Sequence, residues 1–321
     1  MIEVEGLTKT FPTRKGREKV ELRAVDGVDL RVDAGEIVGF LGPNGAGKTT
    51  TLRMLTTLIR PTSGRAVVAG HDVAKDPVAV RRAIGYVSQS GSTGPEARAG
   101  EEVVDHGMLY GVSKQAATRR ARELFAELEL DGLWERKPRA MSGGQRRRLD
   151  IAMGLVHDPK LVFLDEPTTG LDPQARANLW DHIEELRSGR GATVFLTTHY
   201  LDEADALCDR ILVIDHGRIV ASDTPDALKR QVSGDLVELL VGEAGQVEAA
   251  AAALAAAGPD AAPHVEGLRI SARIRGVGDR LPGLVRALDD AGVVLAGIEV
   301  RRPTLDDVFL TVTGRSLRED A

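Results

Sequence analysis

A glycine-rich segment that ends in a lysine and two threonines is the first part of the chain able to do chemistry. It fits the pattern G-x-x-x-x-G-K-[ST], and its candidate binding residues are Gly42, Asn44, Gly45, Gly47, Lys48, Thr49 and Thr50. The glycines let backbone N–H groups close around phosphate oxygens at a helix N-terminus, and Lys48 adds a charge for the β and γ phosphates. The Thr49 hydroxyl can bind Mg²⁺. The segment predicts a nucleoside triphosphate site; the alternative is a glycine-rich turn that binds nothing.

Two adjacent acids, Asp165 and Glu166, end an apolar run at residues 161–164. They emerge at the carboxyl end of a predicted strand, which is where ligands bind in α/β sheets. We therefore assign Asp165 to Mg²⁺ and Glu166 to the water that attacks the γ-phosphate. The alternative is a pair of charges that only solubilises the end of the strand.

A third polar segment precedes a helical pattern at residues 146–155 and consists of Ser142, Gly143, Gly144 and Gln145. A hydroxyl, unobstructed backbone amides and a helix N-terminus together suit an anion, so the segment predicts a second phosphate-binding surface. Taken alone, the same residues are typical of an ordinary helix N-cap.

The scaffold for these segments is predicted by the alternation of short apolar runs with helical patterns up to about residue 231. Five runs are candidate core strands of one sheet, at residues 37–41, 84–87, 161–164, 193–197 and 211–214. Between residues 95 and 158 the pattern is helical. The prediction for residues 1–232 is an α/β fold of the P-loop nucleotide-hydrolase class, with a mostly parallel sheet and an inserted helical subdomain.

The composition changes at residues 233 and 234, after which a second, smaller α/β domain is predicted for residues 235–321. Its strand candidates are residues 235–241, 268–274 and 293–300, and its helix candidates are residues 247–257 and 281–291. All the phosphate-binding patterns lie upstream. We expect this second domain to have a regulatory or docking role.

Composition excludes several classes of protein. The net charge of −6 and the 3% of aromatic residues do not favour a nucleic-acid partner. A single cysteine, Cys208, excludes an internal disulfide and is interpreted as a small buried residue in a reducing compartment. The start lacks a signal-peptide pattern and no apolar run spans a bilayer, so we expect a cytoplasmic chain. The basic runs at residues 14–19 and 146–148 are interpreted as a solvated loop and an exposed helical stretch.

Taken in order, these segments resemble the nucleotide-binding subunit of an ATP-binding cassette (ABC) transporter over roughly the first 230 residues. Residues 42–49 resemble its Walker A loop, residues 142–145 its signature and residues 161–166 its Walker B strand. The resemblance assigns Gln89 to the Q-loop, Asp172 to the D-loop and His199 to the switch histidine. It implies ATP and Mg²⁺ as cofactors, and a head-to-tail dimer that holds ATP between one subunit's Walker A loop and the other's signature.

Each single residue assigned by resemblance has an alternative. Gln89 is implied to touch Mg²⁺ or the attacking water, whereas an isolated loop glutamine is usually solvated. His199 is implied to bind the γ-phosphate as a neutral imidazole, although a lone histidine is more often structural. Asp172 is equally suited to cap the next helix, and the two roles are compatible. Phe11 is the candidate for stacking on adenine, yet it lies farther from the phosphate loop than the family usually shows; the alternative is a core phenylalanine.

The tail at residues 302–314 is similar to that of daunorubicin-resistance-type ATP-binding subunits. This resemblance implies export of a hydrophobic drug or antibiotic through a separate ABC-2-type permease, with the chain held at the inner face of the cell membrane. Leu305, Val308, Phe309 and Val312 recur at helical spacing and form an apolar face. We expect it to dock on a permease or a second copy; the alternative is packing inside its own domain.

Three other functions are alternatives to drug export. One is an ABC exporter of a lipid or polysaccharide, and another is a soluble ABC ATPase without a transport role, which ordinarily carries two cassettes. A DNA-repair ATPase would interrupt the cassette with a long heptad coiled coil, and no sustained heptads occur here. A neighbouring reading frame with about six apolar segments would support transport.

Overall fold

The computed structural model describes residues 1–15, 18–232, 234–259 and 262–314. These residues divide into two compact units, the first ending at Pro225 and the second beginning at Asp226. The last part of the predicted second domain, residues 315–321, lies outside the described residues. The first unit contains two sheets and the second unit contains one.

The first unit begins with two long strands. Its strands are β1 (Ile2–Lys15), β2 (Glu18–Val32), β3 (Ile37–Leu41), β4 (Ser63–Val68), β5 (His71–Asp72), β6 (Ile84–Val87), β7 (Leu161–Asp165), β8 (Thr193–Thr198), β9 (Arg210–Asp215) and β10 (Arg218–Asp223). Its helices are α1 (Lys48–Leu55), α2 (Pro77–Ala83), α3 (Ala99–Leu109), α4 (Lys114–Glu127), α5 (Gly143–Leu155), α6 (Pro173–Ser188) and α7 (Leu201–Leu207).

The five predicted core strands lie in one sheet, which also contains β10 at its edge. The strand order is β10-β9-β3-β8-β7-β6. All neighbours are parallel except β10, which is antiparallel to β9. Every residue of β3 and β7 is buried, as expected for parallel strands covered on both faces. The rings of Phe40 and Phe163 each lie 5.6 Å from that of Phe195, so three neighbouring strands share an aromatic core.

A second, antiparallel sheet in this unit has the order β2-β1-β4-β5. The prediction of a solvated loop at residues 14–19 is wrong at the backbone level, because Arg14 pairs with Lys19 and Lys15 with Glu18 in the β1–β2 hairpin. Residues 16 and 17 lie outside the described chain. The basic run is typical of a loop, but cross-strand pairing extends β1 into it as far as Lys15 and β2 from Glu18 onward.

Three helices, α3 to α5, lie between β6 and β7, where the sequence predicts the inserted helical subdomain. They pack through buried small and aliphatic side chains, among them Val103, Ala121, Leu124 and Leu149. The insertion carries the segment at residues 142–145 on its last helix. It therefore presents that segment from outside the parallel sheet.

The second unit is a split β-α-β arrangement. It contains α8 (Pro225–Gln231), which starts at the boundary, and then β11 (Asp235–Val241), α9 (Val247–Ala256), β12 (His264–Glu266), β13 (Arg269–Ile274), α10 (Val277–Asp290), β14 (Leu295–Arg301) and α11 (Leu305–Thr313). Its sheet has the order β12-β13-β11-β14, and each neighbouring pair is antiparallel. This is the ferredoxin-like pattern.

The core of the second unit is aliphatic and includes Val237, Leu239, Leu254, Ile270 and Leu284. Helix α10 begins four residues before the predicted start, at Val277, and contains Pro282 in its second turn. The sequence prediction began the helix next to this proline. Pro282 is the sixth residue of the helix, just beyond the positions whose N–H groups lack an intrahelical partner, so it costs one backbone hydrogen bond.

Candidate nucleotide-binding and catalytic site

The phosphate loop connects β3 to α1, and its glycines are required by close contacts. Gly47 has φ 108°, and a Cβ there would come 2.5 Å from the Ala24 carbonyl oxygen. A Cβ on Gly42 would come 2.3 Å from the carbonyl oxygen of Ile214. Gly47 caps α1 without a side chain, so the N-terminal amides of the helix face the loop. This end of the helix suits an anion.

Lys48 is buried beneath the loop and contacts it directly. Its ammonium group donates to the carbonyls of Gly42 at 2.8 Å and Pro43 at 3.2 Å. Its Nζ also lies 3.5 Å from Oε1 of Glu166. Burial lowers the pKa of Lys48, while the nearby carboxylates of Glu166 and Asp165 act in the opposite direction. The carboxylates therefore favour the charged form that a phosphate needs.

Asp165 lies at the end of β7 and is tied to two threonines. Its Oδ1 accepts from the hydroxyl of Thr197 at 2.7 Å and from that of Thr49 at 3.3 Å. The hydroxyl and carboxylate predicted to bind Mg²⁺ are thus adjacent. Hard oxygen donors of this kind suit Mg²⁺, which usually takes one or two protein ligands and fills its remaining positions with phosphate and water.

Glu166 is the centre of the site. Its Oε2 accepts from Gln89 Nε2 at 2.8 Å and from the Thr169 hydroxyl at 3.2 Å, and it lies 3.3 Å from Nδ1 of His199. Burial alone would raise the pKa of this carboxyl group, but His199 and Lys48 outweigh burial and hold the pKa below its ordinary value. Glu166 is consequently ionised at neutral pH and can accept a hydrogen bond from water.

A cavity of about 190 Å³ opens between the phosphate loop and these side chains. Its lining includes residues of the loop, the start of α1 and both Gln89 and Glu166. The structure therefore brings together six predicted residues from four segments, namely Lys48, Thr49, Gln89, Asp165, Glu166 and His199. This convergence is the arrangement that phosphoryl transfer to water requires.

The segment at residues 142–145 lies apart from that cavity. Ser142 is the N-cap of α5 in a reciprocal capping box, since its hydroxyl accepts from the Gln145 N–H at 3.2 Å and its own N–H donates to Gln145 Oε1 at 3.0 Å. Ser142 and Gly143 are exposed. Gly143 lines a separate cavity of about 510 Å³, which also contains Gln89. Within one chain, the described residues do not place Ser142 at the phosphate loop.

Asp172 is the N-cap of α6, which was one of the two roles predicted for it. Its Oδ1 accepts from the Ala175 N–H at 2.9 Å, and Pro173 occupies the first helical position. The carboxylate is also exposed at the end of the loop that follows Glu166. Its D-loop role remains a prediction.

Phe11 lies on β1 and pairs with Leu22 of β2. Ala24, two residues after Leu22, lines the phosphate-loop cavity. Its ring is 36% exposed, and the ammonium of Lys9 lies 5.1 Å from the ring centre. The residue is therefore a half-exposed aromatic on the hairpin, and its stacking on adenine remains a prediction.

Sequence reasoning missed the role of Arg147. The run at residues 146–148 was predicted to be exposed, and this is wrong for Arg147, which is only 7% exposed. Successive helical residues point about 100° apart, so one member of the run faces the interior. Its guanidinium donates to the carbonyls of Ser88, Asp165 and Pro167. Burial lowers its pKa, and Asp150 and Asp165 oppose that shift.

Two buried acids near the site were also missed. Asp150, on α5, accepts from the Ser92 N–H at 2.8 Å and so anchors the loop that follows Gln89. Glu203 is fully buried on α7, and burial raises its pKa. Cys208 is buried as predicted, and its sulfur lies 2.5 Å from the position that a Cβ on Gly39 would take. Asp150 lies between Leu149 and Ile151, whereas Glu203 follows Asp202 in an acidic run that is typical of an exposed helix, so neither sequence context indicates a buried acid near the site.

Comparisons with known proteins agree with this geometry. A family model described as "ABC transporter" matches residues 25–169. A daunorubicin resistance ATP-binding protein of Streptomyces coeruleorubidus is 44% identical over 99% of this chain and 97% of its own length. A doxorubicin resistance ATP-binding protein of Mycobacterium tuberculosis is 40% identical, with coverage of 97% and 93%.

The likeness extends to other exporters and to solved structures. A Nod factor export ATP-binding protein of Burkholderia lata is 37% identical over 92% of this chain and 93% of its own. A dimeric ATP-binding cassette in a post-hydrolysis state, bound to ADP and phosphate, matches with a TM-score of 0.63 and 28% identity. That match covers 70% of this chain and 98% of the cassette. The predicted fold class is confirmed.

Proposed function

The chain belongs to the ABC transporter family of ATP-binding proteins, and from this premise we propose that it is the ATP-hydrolysing subunit of an exporter for a hydrophobic drug or antibiotic. Relatives named for daunorubicin and doxorubicin resistance match it over nearly their whole length. Because these relatives are named as ATP-binding proteins, we propose that the cargo passes through a separate membrane permease. No helix in the described part of the chain is long and apolar enough to cross a bilayer.

The contact that best supports hydrolysis is the cluster around Glu166. The carboxylate is ionised, 3.5 Å from Lys48 and 3.3 Å from His199, and hydrogen-bonded to Gln89. A base in this position can orient water for in-line attack on a γ-phosphate that the loop amides and Lys48 hold. Gln89 and His199 then serve as hydrogen-bond partners of the water or of the γ-phosphate.

Thr49, Asp165 and Gln89 are the residues that would hold Mg²⁺. The support is the 3.3 Å hydrogen bond between the Thr49 hydroxyl and Asp165, which places two hard oxygen donors side by side. When bound, the ion neutralises charge on the β and γ phosphates. The Thr197 hydroxyl fixes the orientation of the Asp165 carboxylate at 2.7 Å.

The working form is a head-to-tail dimer of two copies of this chain. Ser142 and Gly143 are exposed at the N-terminus of α5 and are absent from the lining of their own phosphate-loop cavity. A partner's nucleotide would satisfy the helix amides there. The related cassette bound to ADP and phosphate is dimeric. We assign residues 142–145 and Asp172 to that shared site, and Phe11 to the adenine ring.

A mixing experiment tests the shared sites. Lys48→Ala and Ser142→Ala proteins each lack one half of every site in their own dimers, but a mixed dimer contains one intact composite site. We expect each variant alone to be nearly inactive, and the mixture to recover up to about a quarter of the wild-type rate if subunits pair at random. An inactive mixture, at concentrations where mixed dimers are demonstrated, would contradict the head-to-tail arrangement.

The permease is proposed to be of the ABC-2 type, which would hold the chain at the cytoplasmic face of the membrane. Purifying the chain with the membrane protein encoded beside it, and measuring ATPase stimulation by candidate cargo, tests both statements. Because one relative is named for Nod factor export, a non-drug cargo such as a lipid or polysaccharide is the second candidate. Stimulation by such a cargo and not by hydrophobic drugs would select it.

A further inference from the structure

Arg147 lies in the second turn of α5, the helix that begins just after Ser142, and its side chain binds three backbone carbonyls at once. Nε donates to Pro167 at 2.7 Å, Nη1 to Ser88 at 2.6 Å and Nη2 to Asp165 at 3.0 Å. The rigid planar fork of an arginine suits donation in several fixed directions. All three bonds are made in a site that is almost closed to solvent, where they are stronger than in water.

The three carbonyls belong to the backbone that carries the reacting groups. One is on the residue immediately before Gln89, and the other two are on the residues on either side of Glu166. The side chains of Gln89 and Glu166 are themselves joined by a 2.8 Å hydrogen bond. A single guanidinium therefore holds the main chain on both sides of that bond.

The backbone of Glu166 needs such support. Its φ is +46°, in the left-handed region that residues with a Cβ rarely adopt. A conformation of this kind persists only where its surroundings hold it. The Glu166 N–H donates to the Thr197 carbonyl and hydroxyl at 3.1 and 3.0 Å, and Arg147 binds the carbonyls before and after.

We propose that Arg147 is a positioning residue for ATP hydrolysis, which ties the placement of Glu166 and Gln89 to the helix that begins at Ser142. This rests on the proposed function. In the dimer, Ser142 contacts the nucleotide bound by the partner, whereas Glu166 acts on the nucleotide of its own chain. Arg147 joins the two within one chain, so that engagement of one composite site sets the geometry of the base in the other.

A role in packing alone predicts something different. Loss of packing lowers the free energy of unfolding without separating kcat from KM for ATP. Loss of positioning lowers kcat and leaves nucleotide binding intact, because the loop amides and Lys48 are untouched.

The first test is Arg147→Lys, which keeps the charge and most of the length but replaces the planar fork with a single ammonium group. We expect kcat to fall at least about tenfold and KM for ATP to change less than about threefold. The matched control is Arg148→Lys on the same helix, where Arg148 makes a partly exposed ion pair with Glu129 at 2.6 Å. That control should keep turnover within about twofold.

Arg147→Gln is the second variant, for use if the lysine variant is unstable, and thermal unfolding is measured for both. The same separation of kcat from KM is expected of whichever variant folds. The proposal is overturned if either variant folds and has the wild-type kcat. It is also overturned if both variants fold poorly but the fraction that binds ATP keeps the wild-type kcat.

A mixed dimer tests the direction of the effect. One subunit carries both Glu166→Gln and Arg147→Lys, and the other subunit is wild type. The only remaining base is then Glu166 of the wild-type subunit, which keeps its own Arg147, whereas the signature that completes this site comes from the variant subunit. We expect this dimer to hydrolyse ATP at the same rate as a dimer in which one subunit carries only Glu166→Gln. A rate at least about tenfold lower would show that Arg147 supports the signature instead.

Wild-type and Glu166→Gln proteins measured in parallel separate this inference from the proposed function. The proposed function fails if the wild-type protein shows no ATPase activity, or none that is lost in Glu166→Gln. If the wild type has ATPase activity that Glu166→Gln abolishes, and the Arg147 variants have the wild-type rate, only the positioning role fails.

Discussion

The two units differ most in what their interiors contain. Among the described residues, all 14 buried polar or charged side chains lie in the first unit, including Lys48, Arg147, Asp165, Glu166 and Glu203. The buried side chains of the second unit are apolar, chiefly aliphatic residues such as Leu239, Leu254 and Ile270, with Phe309 on α11 also buried. Burying a charge costs free energy unless it is paired and hydrogen-bonded, so such groups are retained where chemistry needs them.

This difference separates two ways of using a fold. In the first unit, burial of charged groups costs stability, and the hydrogen-bond network around them positions the reacting groups at the strand ends. The second unit is stabilised by apolar packing between a sheet and two helices, and its polar groups remain at the surface. Reaction chemistry should therefore depend on single side chains in the first unit and be independent of the second.

The largest effect is expected from Lys48→Ala and Glu166→Gln. Lys48→Ala removes the buried charge beneath the phosphate loop and should weaken ATP binding sharply. Glu166→Gln keeps the shape of the site but removes the base, so binding should persist while hydrolysis slows at least about 10²-fold. Equilibrium nucleotide binding and steady-state phosphate release measure the two defects.

Glu184→Gln is the control for these variants, because Glu184 is an exposed acid on α6 with 58% of its side chain accessible. It should bind and hydrolyse ATP as the wild type does. An equal loss of nucleotide binding in Lys48→Ala and Glu166→Gln would remove Glu166 from the role of base.

An intermediate effect is expected from shortening the chain to residue 232. Every residue that lines the phosphate-loop cavity is upstream, so ATP affinity should stay within about threefold. Assembly with the permease or a second subunit should be poor, because docking is the proposed role of the second unit. Nucleotide titration and co-purification with the permease check the two outcomes. Unchanged assembly would leave the second unit without a docking role.

Single substitutions on α11 refine that comparison. Leu305, Val308 and Phe309 are 4%, 2% and 0% exposed, so most of the predicted apolar face is covered within the chain. These three side chains are therefore largely inaccessible to a partner in the folded chain. Phe309→Asp should therefore lower stability, whereas the neighbouring Leu310→Asp, at 49% exposed, is the variant that tests surface docking. Normal assembly of folded Leu310→Asp protein would exclude that surface as a contact.

The smallest effect is expected from Glu203→Gln, and it depends on pH. Burial raises the pKa of Glu203 in the folded protein above its ordinary value of 4.5; Thr198, Thr168 and Trp180 face the carboxyl group and partly oppose the shift. Between the unfolded and folded pKa values, unfolding releases a proton, so this carboxyl group makes stability fall as pH rises. Glutamine has no such proton.

The stability of Glu203→Gln relative to wild type should consequently increase from pH 5 to pH 8. Denaturant unfolding at both pH values, followed by tryptophan fluorescence, measures the difference. Asp202→Asn, which changes an exposed acid next to Glu203 on α7, should show no comparable change. Parallel pH dependences for wild type and Glu203→Gln would mean that the carboxyl group is neutralised by another route.

Much of the fold and of the site follows from local sequence. The phosphate loop is a strand, a glycine turn and a helix within about 20 residues, so its neighbours in sequence determine it. Glu166 is likewise located by the strand before it. Arg147 was missed because three consecutive arginines point in different directions and only tertiary contacts decide which one is buried. The β1–β2 hairpin was missed because its pairing overrides a charged, loop-like composition.

The strand order also sets the sequence of events during synthesis. Strand β3, which carries the phosphate loop, has β8 and β9 as its two neighbours, and Val38 pairs with both Phe195 and Arg210. The ribosome must therefore add about 170 residues after β3 before that strand can be enclosed, which takes roughly 10 to 30 s at ordinary elongation rates. Throughout this interval a wholly apolar strand lacks its partners, and the nascent cassette is at its most prone to aggregation. In the second unit the most distant paired residues, Leu236 and Arg301, are 65 positions apart, so its sheet can close sooner after the chain emerges.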